Sequence, residues 1–254
     1  GYGTPVRSLA PVSVWDFEDT ITPMKATTGK DLILTGTDTG IDGPAAENKA
    51  RRITSGNSYA ITSPIRANGA AGATRANLYA MKIDFRVNST TQPHPLYQTD
   101  STNASSAESF VSVDGLVGNP SLGYSDDAIK VGKWHRLIIN ADLANKYDLW
   151  LDGFPLYRNG PQPLNGRYSL APYGSLKSIL LFTDSAAYAG ASIDVAGISL
   201  WNRILDSVEI YILGEVPVPA TDTAAGPGGF AIYADGTQKN QYGRVPPHAD
   251  FDFD

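Results

Sequence analysis

Acid–base and metal chemistry depends on carboxylates and imidazoles at set spacings, and this chain of 254 residues holds few of the arrangements that perform it. Its three histidines, His94, His135 and His248, stand in unrelated contexts. There is no His-Glu-x-x-His pair and no cysteine to complete a zinc site. No Gly-x-Ser-x-Gly elbow occurs, and no glycine-rich loop leads from a strand into a helix, so serine hydrolase and nucleotide chemistry lack their usual signatures. Glycoside hydrolysis needs two carboxylates across one bond. The five glutamates, Glu18, Glu47, Glu108, Glu209 and Glu215, never share a strand face at a two- or four-residue spacing. Asp126-Asp127 reads as a turn, and Asp148 with Asp152 flanks a hairpin.

Aromatic rings are better supplied. A tyrosine face stacks on a pyranose ring, while amides and hydroxyls satisfy the sugar hydroxyls. Tyr97, Tyr124, Tyr157, Tyr168, Tyr173 and Tyr188 are candidates, and Tyr97 and Tyr124 bracket a polar loop, Gln98 to Ser106. The ligand-binding set read from this pattern is Tyr97, Gln98, Asn103, Tyr124 and Tyr157. Trp15, Trp134, Trp150 and Trp201 fall on core-like strand faces and read as packing. His94, between Gln92-Pro93 and Pro95, reads as an exposed loop residue.

Charge narrows the partners. Asp and Glu total 26 against 20 Lys and Arg, a formal net charge of −6, and no basic run exceeds Arg51-Arg52. Such a surface has no footprint for a phosphate backbone, so nucleic acid is excluded as a direct partner. No apolar run approaches the length of a membrane span. The chain lacks cysteine and starts at Gly, which fits a processed protein whose export signal has been removed and which works in the periplasm, at the cell surface or as a secreted molecule.

The elements that must hold these residues are mostly strands. From Leu78 to Val87 the apolar residues Tyr79, Met81, Ile83, Phe85 and Val87 alternate with Lys82, Asp84 and Arg86. Trp134 to Ala141 repeats the pattern, and Lys146 to Asp152 follows as its hairpin partner before an Asp152-Gly153 turn. Further strands are expected at Val12 to Phe17, Asp31 to Thr35, Ser58 to Thr62, Glu108 to Val113, Ser178 to Thr183 and Ser192 to Trp201. One short helix carries signals at both ends: Asp206 as cap, Glu209 completing a capping box, and Gly214 as stop. This inventory predicts an all-β sandwich or barrel over residues 10–214. Residues 215–254 open with a Pro, Ala and Gly stretch and are too few to bury a core; they read as a linker and tail that packs on the sandwich or begins a truncated region.

Three motifs carry a resemblance. Lys133-Trp134-His135-Arg136-Leu137, its partner Tyr147-Asp148-Leu149-Trp150-Leu151-Asp152-Gly153, and Ile193-Asp194-Val195-Ala196-Gly197-Ile198-Ser199-Leu200-Trp201-Asn202-Arg203-Ile204-Leu205 resemble, in that order, a laminin G-like, concanavalin A-like jelly roll, and Val14-Trp15-Asp16-Phe17-Glu18 looks like its first strand. The resemblance implies a sandwich of two curved antiparallel sheets with a ligand on the concave face or its rim loops, and a bacterial accessory module of the kind that accompanies secreted phosphoesterases and polysaccharide-degrading enzymes. It also implies a structural calcium ion, with Asp194 as the matching ligand, carbonyls near Phe17 and Tyr59 beside it, and Asp16 and Asp19 as alternatives. The Glu-x-Asp-x-x-Glu strand of the family's retaining glucanases is missing. The expectation is a non-catalytic module that binds a glycan or cell-surface polysaccharide. The alternatives are a glycoside hydrolase or lyase working in the groove, and an adhesion or spacer domain without a small ligand.

Overall fold

A computed structural model describes residues 10–217 together with the backbone of two short strands, 231–232 and 238–239. Two antiparallel sheets form the chain into a β-sandwich. The first runs β13 (Phe154–Asn159), β12 (Lys146–Leu151), β11 (Trp134–Asp142), β6 (Leu78–Arg86), β15 (Ser192–Trp201), β4 (Lys49–Thr54) and β3 (Thr39–Asp42), with β1 (Ser13–Trp15) also paired to β15. The second runs β10 (Gly123–Ala128), β9 (Leu116–Asn119), β8 (Ser109–Val111), β7 (His94–Gln98), β14 (Ile179–Leu181), β5 (Ser58–Ile61) and β2 (Ile33–Thr35).

Alternation sets the register of the first sheet. Ile83 of β6 lies opposite Leu137 of β11 on one side and Ile198 of β15 on the other, so Met81, Ile83, Phe85, Leu137, Ile139, Ile198 and Leu200 all face the second sheet. Asp152 and Gly153 both take positive φ, 54° and 88°, in the tight turn that leads from β12 into β13.

The opposite face of that sheet is covered as well. Ile138, Trp150 and Trp201 form a second apolar cluster with Leu205 and Ile210, under the helix α1 (Ser207–Leu213). Asn140 fixes the approach by exchanging hydrogen bonds with the backbone of Leu205, at 2.8 and 2.9 Å. Arg136 holds Asp84 through two hydrogen bonds and donates a third to the carbonyl of Leu213. The expected cap is present at both ends: the Asp206 side chain accepts from Glu209 N–H, Glu209 reaches back to Asp206 N–H, and Gly214 closes the helix.

Several strands lie where turns or loops were expected. Asp126 and Asp127 sit in β10, and His94 opens β7 as a buried residue whose Nε2 donates to the Ser89 carbonyl at 2.7 Å. Beyond the sandwich, β16 (Ala231–Ile232) pairs antiparallel with β17 (Gln238–Lys239). The rest of the tail lies outside the described residues.

Candidate ligand-binding clefts

One segment, residues 99–108 between β7 and β8, feeds two separate depressions. A groove of about 660 Å³ is lined on one side by residues 54–58, with His94 on its floor, and on the other by Asn103 and the loop 183–191. A second cleft of about 650 Å³ lies against Thr99, Asp100, Ser101, Ser105 and Ser106.

Tyr188 is the aromatic residue best placed in the groove. Its ring is half-buried and meets Phe110 edge-on, with centroids 6.3 Å apart. Its hydroxyl donates to Asp184 Oδ2 at 3.3 Å, and burial together with that carboxylate pushes its pKa up to about 12, so it stays a neutral donor. The carboxylate of Asp184 also takes the N–H groups of Ala107 and Ala186, which pins the 183–191 loop to the 99–108 segment. Asn103, Thr183, Ser55 and Ser58 add amide and hydroxyl groups, and Asp184 is the only Asp, Glu, Lys or Arg among the lining residues. Burial lowers the pKa of His94, which keeps its ring neutral as well.

The residues expected to contact a ligand are distributed differently. Tyr97 is wholly buried and hydrogen-bonds to Tyr147, within a cluster completed by Tyr79 and Tyr168. Gln98 is also wholly buried; its amide donates to Asn103 Oδ1 at 2.8 Å and to the Thr183 carbonyl at 3.2 Å. Gln98 therefore supports the groove wall from behind, and neither side chain is exposed to a ligand. Tyr124 is half-buried on β10, near enough to Tyr188 to interact electrostatically, but it does not line the groove. Tyr157 packs against the core from the edge strand β13. Of the set, Asn103 lines the groove. Tyr168 is buried, and Tyr173 is exposed beneath Arg66. The signal for Tyr188 was its place in the Ala- and Gly-rich run 186–191, where a lone aromatic has no strand face to fill.

The aspartates expected to hold calcium have other partners. Asp194, buried near the start of β15, takes Arg52 Nε at 2.7 Å, Arg86 Nε at 2.9 Å and Asn88 Nδ2 at 2.9 Å. A divalent ion there would sit against two guanidinium charges, so this donor set does not fit calcium. Hydrogen bonds from Arg52, Asn88 and Arg86 outweigh burial and hold the Asp194 carboxyl below its usual range. Asp19 accepts from the N–H groups of Ile21 and Thr22 and from the Thr22 hydroxyl, closing an exposed turn; Asp16 accepts from Glu18 N–H and the Thr27 hydroxyl. Among the described residues no group of three or more His, Asp or Glu side chains converges.

Among the described residues one imidazole–carboxylate pair stands out, His135 Nδ1 to Asp152 Oδ2 at 2.7 Å. It is sealed in the core, with Nε2 accepting Lys130 N–H at 3.0 Å, and so ties the β11 and β12 ends together away from both clefts.

Comparison with known proteins gives a fold. No protein-family model matches the sequence, and no curated protein matches it. Among solved structures, domain 4 of AbnA, a GH43 extracellular arabinanase from Geobacillus stearothermophilus in complex with arabinotriose, is similar at 12% identity and a TM-score of 0.54, covering 79% of this chain and 96% of that one. The binding domain of botulinum neurotoxin DC in complex with rat synaptotagmin II is similar at 11% identity and a TM-score of 0.53, covering 80% and 50%. A structure of botulinum neurotoxin type C, whose cell entry depends on interaction with two ganglioside molecules, is similar at 10% identity and a TM-score of 0.50, covering 74% and 47%. The chain thus spans about half the length of these neurotoxin domains. At such identities the likeness is one of architecture: a β-sandwich of the kind found in carbohydrate-binding and receptor-binding domains.

Proposed function

We propose that this chain is a non-catalytic carbohydrate-binding module of the laminin G-like, concanavalin A-like kind, serving a secreted bacterial protein by attaching it to a glycan. The observation that carries the reading is the composition of the groove: one half-buried tyrosine among amide, hydroxyl and neutral imidazole groups, with Asp184 as its single charged side chain. A neutral sugar needs a ring to stack on and donors and acceptors for its hydroxyls, without a full ionic charge to desolvate. The arabinotriose-bound arabinanase domain, which this chain covers almost end to end, supports the reading by architecture.

Calorimetric titration with neutral linear oligosaccharides, arabinotriose first, tests it beside an assay for reducing-sugar release. Binding without release is expected, with Tyr188→Ala weakening it by about tenfold and Tyr188→Phe retaining most of it. Release of sugar, or affinity indifferent to Tyr188→Ala, overturns the reading.

A further inference from the structure

The second cleft differs from the groove in charge. Arg75, Asp100, Glu108 and Arg167 all line it, with the exposed hydroxyls of Ser101 and Ser106. Both carboxylates are already engaged. Asp100 accepts from the Thr102 and Ser105 hydroxyls and from Thr102 N–H, and those bonds, the Thr102 hydroxyl foremost, hold its pKa down at about 2. Glu108, buried, accepts Thr99 N–H at 2.6 Å and Arg167 Nε at 3.1 Å. Arg75 is in a different position: its Nε and Nη2 donate only to the hydroxyl and carbonyl of Ser169, and among the described residues no carboxylate pairs with it. A half-buried guanidinium has five N–H donors, and Ser169 takes two of them.

We propose that this cleft is a second saccharide site, selective for a sugar that bears a carboxylate, with Arg75 receiving the charge and Ser101 and Ser106 meeting the hydroxyls. The planar guanidinium fork matches a carboxylate through paired N–H···O bonds, which a neutral sugar cannot use. The site stands apart from the groove and does not depend on what the groove binds.

Glu108 adds a pH signature. Burial lifts its pKa to about 7 against the pull of Thr99 N–H and Arg167. The groups that face it are Arg167, which pairs with it, and the hydroxyls of Tyr79, Tyr97, Tyr147 and Tyr168, all held neutral by burial; Arg75 and Asp100 are the remaining charges of the cleft. Below pH 7 the cleft therefore gains one positive charge while a sugar carboxylate is still ionised.

The experiment titrates the full chain with a galacturonate trimer, the neutral galactose trimer and a sulfated trimer, at pH 6 and pH 8. Galacturonate is expected to bind best, about threefold to fivefold tighter at pH 6 than at pH 8. Arg75→Gln should weaken it by about tenfold at an unchanged melting temperature, and Tyr188→Ala should leave it unaltered. Asp100→Asn removes a competing charge and should tighten binding several-fold, a gain that a misfolded variant cannot produce. Equal affinity for the neutral or the sulfated trimer, no gain in Asp100→Asn, or a loss confined to Tyr188→Ala overturns the proposal. That last result would place the acid sugar in the groove; loss of arabinotriose binding alone would count against the groove and leave this cleft intact.

Discussion

Gln98 donates from a wholly buried side-chain amide to Oδ1 of Asn103 at 2.8 Å, and the same nitrogen reaches the Thr183 carbonyl across the groove wall. Its oxygen takes Ser105 N–H at 3.3 Å. One amide thus ties the two segments of one groove wall, the 99–108 segment and the 183–191 loop, to strand β7. Replacing it with Leu removes its bond to the Thr183 carbonyl and its bonds to Asn103 and Ser105, two exposed residues that can turn to water. Gln98→Leu should destabilise the protein by about 1–3 kcal/mol and weaken saccharide binding in the groove, read by urea unfolding and by calorimetry on the folded variant.

Asp194 binds β15 to Arg52 of β4 and to Arg86 of β6. Asp194→Ala would leave two guanidinium groups facing each other across a hole in the sheet. Because both arginines are partly exposed, water offsets some of the loss, and the expected destabilisation is about 2–4 kcal/mol. The melting temperature should be the same in millimolar calcium and in chelator; a calcium-dependent rise would return a metal to this position.

Glu108 predicts an acid-side gain in stability. Its pKa rises from an ordinary 4.5 to about 7 on folding because burial disfavours the charged form. A raised folded-state pKa means stability that is fully present below about pH 4.5 and is lost as pH climbs through 7. The amount is about 3 kcal/mol for a side chain this buried. Asp38, Asp84 and Asp194, held below their usual range, act in the opposite sense and withdraw stability below about pH 4. Unfolding free energy measured from pH 4 to 8 should peak on the acid side of neutrality, and Glu108→Gln should flatten the upper limb.

The capping box of α1 can be tested through the tryptophans it covers. Asp206→Ala removes the acceptor for Glu209 N–H and should cost about 1 kcal/mol. Fluorescence should report early loosening around Trp150 and Trp201, which share an apolar cluster with the helix residue Ile210.

The sandwich was legible because its central strands obey alternation: β6, β11, β12 and β15 present apolar residues on every second position, and their boundaries follow from that pattern. In two of the strands that escaped reading, β7 and β10, another force outweighs period two. His94-Pro95-Leu96-Tyr97-Gln98 is buried at every residue, so nothing alternates, and Pro95 imitates a loop. In β10 the Asp126-Asp127 pair imitates a turn on an exposed edge strand. Tyr97 and Gln98 read as surface residues for a related reason. A tyrosine beside a polar loop looks the same in sequence whether its ring faces solvent or the core, and only the pairing of β7 between β8 and β14 puts Tyr97 inside. Asp194 was located correctly on the last long strand, yet its partners Arg52 and Arg86 lie 142 and 108 residues away, a separation at which no local pattern speaks.

The helix that closes the back of the first sheet has a consequence for how the domain meets a ligand. With α1 and the 202–216 segment lying on that surface, the molecule is one-sided, and the 99–108 segment opens both depressions from the other half of the sandwich. If both proposed sites hold sugar, one ten-residue segment serves two different chemistries, and a change of conformation there is felt at both.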